Sequence, residues 1–148
     1  MDLRLADVDQ SLASVFRDYA FTHGPVHDES YTLPEELLGF DPSAEPAVLV
    51  YDADGDVVGA GSIMVDGYST EGTARFRILH AADSRAYATM LDRLLPALPD
   101  SVERVFVFLH RDAGEIESTL RQAGFAITRR ATILVHESPG EVNVPPIP

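Results

Sequence analysis

The chain contains no cysteine, and all eleven of its basic residues are arginine, so lysine is missing as well. Without thiols there is no disulfide, no thiolate nucleophile and no zinc–thiolate site. Without lysine there is no Schiff base and no self-acylating amine. Eleven basic residues face 24 acidic ones, a formal charge of −13, and nothing forms the cationic stripe that phosphate backbones require. Nucleic acid is therefore excluded as a partner, and cationic or amine-bearing small molecules fit better. Apolar runs long enough to span a bilayer are also lacking, and the opening "MDLRLADVDQ" is acidic, with no apolar signal-peptide core. The expectation is a cytoplasmic protein without membrane contact.

A length of 148 residues with 45% hydrophobic content supports one domain around one core. We assign it to residues 1–138 and a Pro-rich tail to residues 139–148. Leu3 to Ala6 alternates like a short strand. Asp7 or Asp9 then caps a helix whose apolar face is Leu12, Val15, Phe16 and Tyr19 and which ends near His23-Gly24-Pro25. In "TLPEELLGF" Thr32, Pro34 and Gly39 mark a short second helix. "AVLVYDADGDVVGAGSIMV" carries two β-rich arms around Asp54-Gly55, a hairpin signal. Thr73 to Leu79 alternates again, with Ala74, Phe76 and Ile78 on one face and Arg75 and Arg77 on the other. Tyr87, Met90, Leu91, Leu94 and Leu95 recur at helical spacing. "RVFVFLH" suits a strand buried on both faces, "AGEIESTLRQAGF" a helix ended by Gly124, and "FAITRRATILVHE" a closing strand.

The order of "LRLADVD", "VLVYDADGDVVGAGSIMV", "FRILHAADSRAYATMLDRLL" and "LRQAGF" resembles the GNAT superfamily of acyl-CoA-dependent N-acyltransferases. The resemblance implies an α+β (mixed α/β) fold, with a central twisted mixed sheet of six to seven strands flanked by about four helices. It also implies acetyl-CoA or another acyl-CoA as cofactor, its pantetheine along a bulged fourth strand and its pyrophosphate on the next helix N-terminus. Unpaired amides and the helix dipole favour an anion there. By that likeness the cofactor residues are Ile78, Leu79, His80, Ser84, Arg85, Ala86, Tyr87 and Ala88. The family's phosphate loop reads Gln or Arg, two residues, Gly, one residue, then Gly or Ala. Here Asp83 and Ala86 replace its first and fourth members, while Ala88 keeps the last. The tyrosine that many members carry on the fourth helix is Leu120 here.

Acyl transfer needs a base, an oxyanion donor and an acid near the strand ends. His80 is the base candidate or a plain strand-end histidine, and Tyr87 is a catalytic phenol or a packing residue. His110 ends the next strand on the same side. "HGPVHDESY" brings His27, Asp28, Glu29 and Tyr31 to the expected acceptor wall, where carboxylates and a ring suit a cationic amine, or forms a solvated loop. Gly24-Pro25 breaks any helix joining His23 and His27, so no metal site follows. Arg75 and Arg77 contact ligand or pair with surface carboxylates. The expected activity is acetyl transfer to a small amine by direct attack. The alternative is a non-catalytic module of the same fold for ligand sensing or protein interaction, and a homodimer is left open.

Overall fold

The computed structural model describes residues 2–23, 37–65, 72–82, 84–107 and 114–126. Along the chain run β1 (Arg4–Asp7), α1 (Ala13–His23), β2 (Ala47–Tyr51), β3 (Val57–Met64), β4 (Thr73–Ala81), α2 (Ser84–Leu94), a 3-10 turn (Leu95–Ala97), β5 (Arg104–Phe106) and α3 (Gly114–Gln122). One sheet holds the strands in the order β1-β2-β3-β4-β5, antiparallel except for the last pair, which is parallel.

This corrects the expected count. Among the described residues there are five strands and three helices, not six to seven strands and about four helices. The extra elements were the short second helix read from "TLPEELLGF" and the closing strand read from "FAITRRATILVHE". Of the expected second helix only residues 37 and 38 are described as helical, and the expected closing strand lies almost wholly outside the described residues.

The two sides of the sheet carry separate apolar clusters. On one, Phe16 and Ala20 of α1 pack with Leu37, Phe40, Leu49, Ala60 and Ile78. On the other, Met90, Leu91 and Leu94 of α2 and Ile116 and Leu120 of α3 pack with Val48, Val50, Ile63 and Leu79. Each fully buried Val, Leu, Ile, Phe or Met among them contributes roughly 1.5–3 kcal/mol. The inward stripe of α1 is Ala13, Phe16 and Ala20, and Val15, expected inside, is 37% exposed. Stacking of Phe16 on Phe40 at 4.3 Å sets that rotation. A bond from Arg17 Nη2 to the Phe40 carbonyl, 2.7 Å, reinforces it.

Small residues let α2 sit close to β3. A Cβ on Gly61 would come 3.0 Å from Leu94 Cδ1 and 3.3 Å from Met90 Sδ. The Asp54-Gly55 turn closes as expected: Gly55 has φ +85°, and the Asp52 carboxylate accepts the Asp54 and Asp56 N–H groups at 2.9 Å. At the far end of α3, Gly124 with φ +99° completes a Schellman cap, with Phe125 N–H donating to the Leu120 carbonyl at 3.0 Å.

The fourth strand departs from plain alternation. Ser62 pairs with Ile78 but Ile63 pairs with Phe76, so Arg77 is one residue too many and β4 bulges there. Ala74 and Phe76 join the α2 side, while Ile78 is thrown to the α1 side beside Arg77. The expected common face of Ala74, Phe76 and Ile78 is thus broken by the bulge. Nor is the described part of β5 buried on both faces, since Arg104 and Phe106 are exposed.

Candidate functional site

Among the described residues the β4–β5 ladder covers three pairs, Thr73 with Arg104, Ala74 with Val105 and Arg75 with Phe106. Beyond Arg75 the strand runs on for six residues to Ala81, paired to β3, and after Ala82 and Asp83 α2 begins at Ser84. A bulge in β4 and a helix N-terminus just past the strand's end bring polar main-chain groups to one corner of the sheet.

His80 lies at that corner on the α1 side, 3% exposed. Tyr19 Oη is 2.7 Å from His80 Nδ1. His23 stacks on the His80 ring, centroids 4.6 Å apart and planes 18° apart, and Tyr19 contacts His23 at 4.2 Å. Tyr19 and His23 are one turn apart at the end of α1, which is why a single helix face delivers both to His80. Sequence reasoning placed Tyr19 in an apolar stripe and His23 at a helix end, and missed their meeting with His80. The four-residue spacing was the available signal.

Tyr87 does not join this group. It is 1% exposed within the α2–α3 cluster, across the sheet from His80, and among the described residues its buried hydroxyl has no hydrogen-bond partner. Leu120 packs in the same cluster. Of the expected cofactor residues, Ile78 is buried on the α1 side and Leu79 on the α2 side. Ala86 is fully buried, its methyl within the core, whereas Arg85 and Ala88 are exposed on the outer side of α2. The backbone of Ser84 opens α2. Asp83, His27, Asp28, Glu29, Tyr31 and His110 lie outside the described residues.

Arg77, the bulge residue, is anchored by Glu45. Its Nε lies 3.1 and 3.0 Å from the two carboxylate oxygens and its Nη2 2.5 Å from Oε1, with both side chains under 10% exposed. Its carboxylate partner is thus buried, not the surface group expected. Beside the pair lies a cavity of about 270 Å³ lined also by Asp41 and Met64. The Asp41 carboxyl is held below its ordinary value by the Ser43 hydroxyl and amide. A larger open groove, about 410 Å³, runs past Asp7, Glu45 and Arg93 at the opposite end of the sheet from His80. Asp52, Asp54 and Asp56 bring oxygens within 4.8 Å of one another, and hydrogen bonds within the hairpin turn account for that cluster.

Comparison with known proteins gives no match, either to a family model or to a curated protein sequence. No helix among the described residues is long and apolar enough to cross a membrane.

Proposed function

We propose that the chain is a GNAT-type N-acyltransferase that takes an acyl group, acetyl in the simplest case, from coenzyme A to a small amine. The observation that carries this reading is the corner of β4: a bulge at Arg77, and α2 starting just beyond His80. The N-terminus of α2, with its amides and helix dipole, suits the pyrophosphate of such a cofactor. In the transfer the amine nitrogen forms the C–N bond and the C–S bond breaks with its electron pair on sulfur. The proton lost by the nitrogen ends on that sulfur, giving amide and free thiol. Calorimetric titration with acetyl-CoA tests the proposal: saturable heat at micromolar cofactor supports it, and none at high micromolar ends it. An amine panel with thiol-release detection then identifies the acceptor class.

A second reading, a ligand-sensing or interaction module without turnover, is favoured by burial. His80 and Tyr87 are 3% and 1% exposed, and they lie on opposite sides of the sheet. Cofactor binding with no thiol release across the panel selects it.

A further inference from the structure

We infer that the buried Glu45–Arg77 pair is a register lock. It holds the bulge of β4 at Arg77, and without it the extra residue moves to Leu79, which exchanges Ile78 and Leu79 between the two sides of the sheet. The inference concerns the conformation of β4 itself and goes beyond the transfer proposed above.

Two placements of the bulge fit the same ladder ends. In the structure Ile63 pairs with Phe76, Arg77 is extra, and Ser62, Gly61, Ala60 and Gly59 pair with Ile78, Leu79, His80 and Ala81. Pairing Ser62 with Arg77 and Gly61 with Ile78 instead leaves Leu79 as the extra residue, while His80 and Ala81 keep their partners and their faces. Residues directly opposite one another share a face of the sheet. Gly61 lies under α2, where a Cβ would meet Leu94, Met90 and Leu79 side-chain atoms at 3.0, 3.3 and 3.4 Å. In the second placement Ile78 therefore takes the place of Leu79 beneath α2, and Leu79 joins His80 on the α1 side. One exchange of leucine for isoleucine leaves the apolar volume of each side unchanged, and cores tolerate such swaps at little cost. Hydrophobic patterning, which sets register where one face is buried, does not choose between the two.

The ion pair does. Arg77 reaches across β3 to Glu45, and the Pro46 carbonyl accepts the Ile63 N–H at 3.2 Å, so Glu45 stands just past the level at which Arg77 is inserted. Arg77 Nε lies 3.1 and 3.0 Å from the two carboxylate oxygens, with both side chains under 10% exposed. Moving the extra residue to Leu79 draws Arg77 back to stand opposite Ser62, a shift of up to about 3.3 Å, the rise of one strand residue. That pulls the guanidinium fork off the carboxylate and parts two buried charges. Such a pair adds little net stability, and its best use is to specify register.

Methyl-resolved NMR reads the placement. In the native chain a nuclear Overhauser contact should join Leu79 to Met90 and none should join Ile78 to Met90; the reverse overturns the inference. In the double variant Glu45→Leu, Arg77→Met, which leaves no buried charge, the Met90 contact should pass from Leu79 to Ile78. A folded double variant that keeps Leu79 against Met90, with no contact from Ile78, overturns the lock. Arg77→Lys keeps the charge and drops the fork, and there an Ile78–Met90 contact should appear beside the native one. Its absence overturns the two-pronged contact as the device that holds the bulge.

Discussion

Arg77 and Glu45 form a buried two-pronged ion pair that ties the bulge of β4 to the residue two before β2. A bulge adds a residue that the ladder cannot pair, and here its side chain is fastened to a neighbouring element. The conformation of β4 at the candidate site is in this way coupled to a contact near the other end of the sheet.

Removing one partner leaves the other charge buried and uncompensated. Glu45→Gln or Arg77→Met should each lower unfolding stability by roughly 3–5 kcal/mol, while replacing both with apolar residues should cost much less. Urea unfolding of the two single variants and the double variant checks this. Additive losses would show that the two groups do not act as a pair.

Tyr87 separates packing from chemistry. Its buried hydroxyl has no hydrogen-bond partner among the described residues, so Tyr87→Phe should leave stability unchanged or raise it by about 1 kcal/mol, whereas Tyr87→Ala should lose roughly 3–5 kcal/mol. Thermal and denaturant unfolding read both. If Tyr87→Phe slowed turnover by tenfold or more at full stability, the phenol would have a role in catalysis that its core position does not suggest.

Gly61→Ala probes the approach of α2 to β3. The new methyl would meet Leu94 at 3.0 Å in a filled core, and a loss of about 1–3 kcal/mol is expected. Shortening Leu94 to Val in the same chain should recover part of it, as measured by a double-mutant cycle.

Asp9 and Asp41 set an acid limit. The Ser11 hydroxyl chiefly holds the Asp9 carboxyl below its ordinary 3.8, and the Ser43 hydroxyl does the same for Asp41. Both folded values lie below the unfolded ones, so their stabilisation is complete above about the unfolded value and disappears as pH falls through the folded value. The stability gap between the native chain and an Asp9→Ala, Asp41→Ala variant should therefore be constant near neutrality and close in acid. Urea midpoints across pH 2 to 7 measure it. A gap that persists at pH 2 would contradict the assignment.

Much of the fold was legible because it is local. The Asp54-Gly55 hairpin, the 3.6-residue repeat of α2 and the stop at Gly124 each follow from preferences of a few adjacent residues. The absence of thiol and lysine chemistry follows from composition alone. The place of His80 near the end of β4 was legible too, since it ends an alternating run.

Tertiary packing decided the rest. Alternation put Ile78 with Ala74 and Phe76, but a register shift against β3 is a property of two strands together, and it moved Ile78 to the α1 side. Helical periodicity suggested Val15 for the core of α1, until the Phe16–Phe40 stack turned the helix. Tyr19, His23 and Glu45 took their places for the same reason: His80 lies 61 residues from Tyr19, and Arg77 32 from Glu45. Contacts at such separations depend on how the layers dock, a choice that no short stretch of sequence encodes.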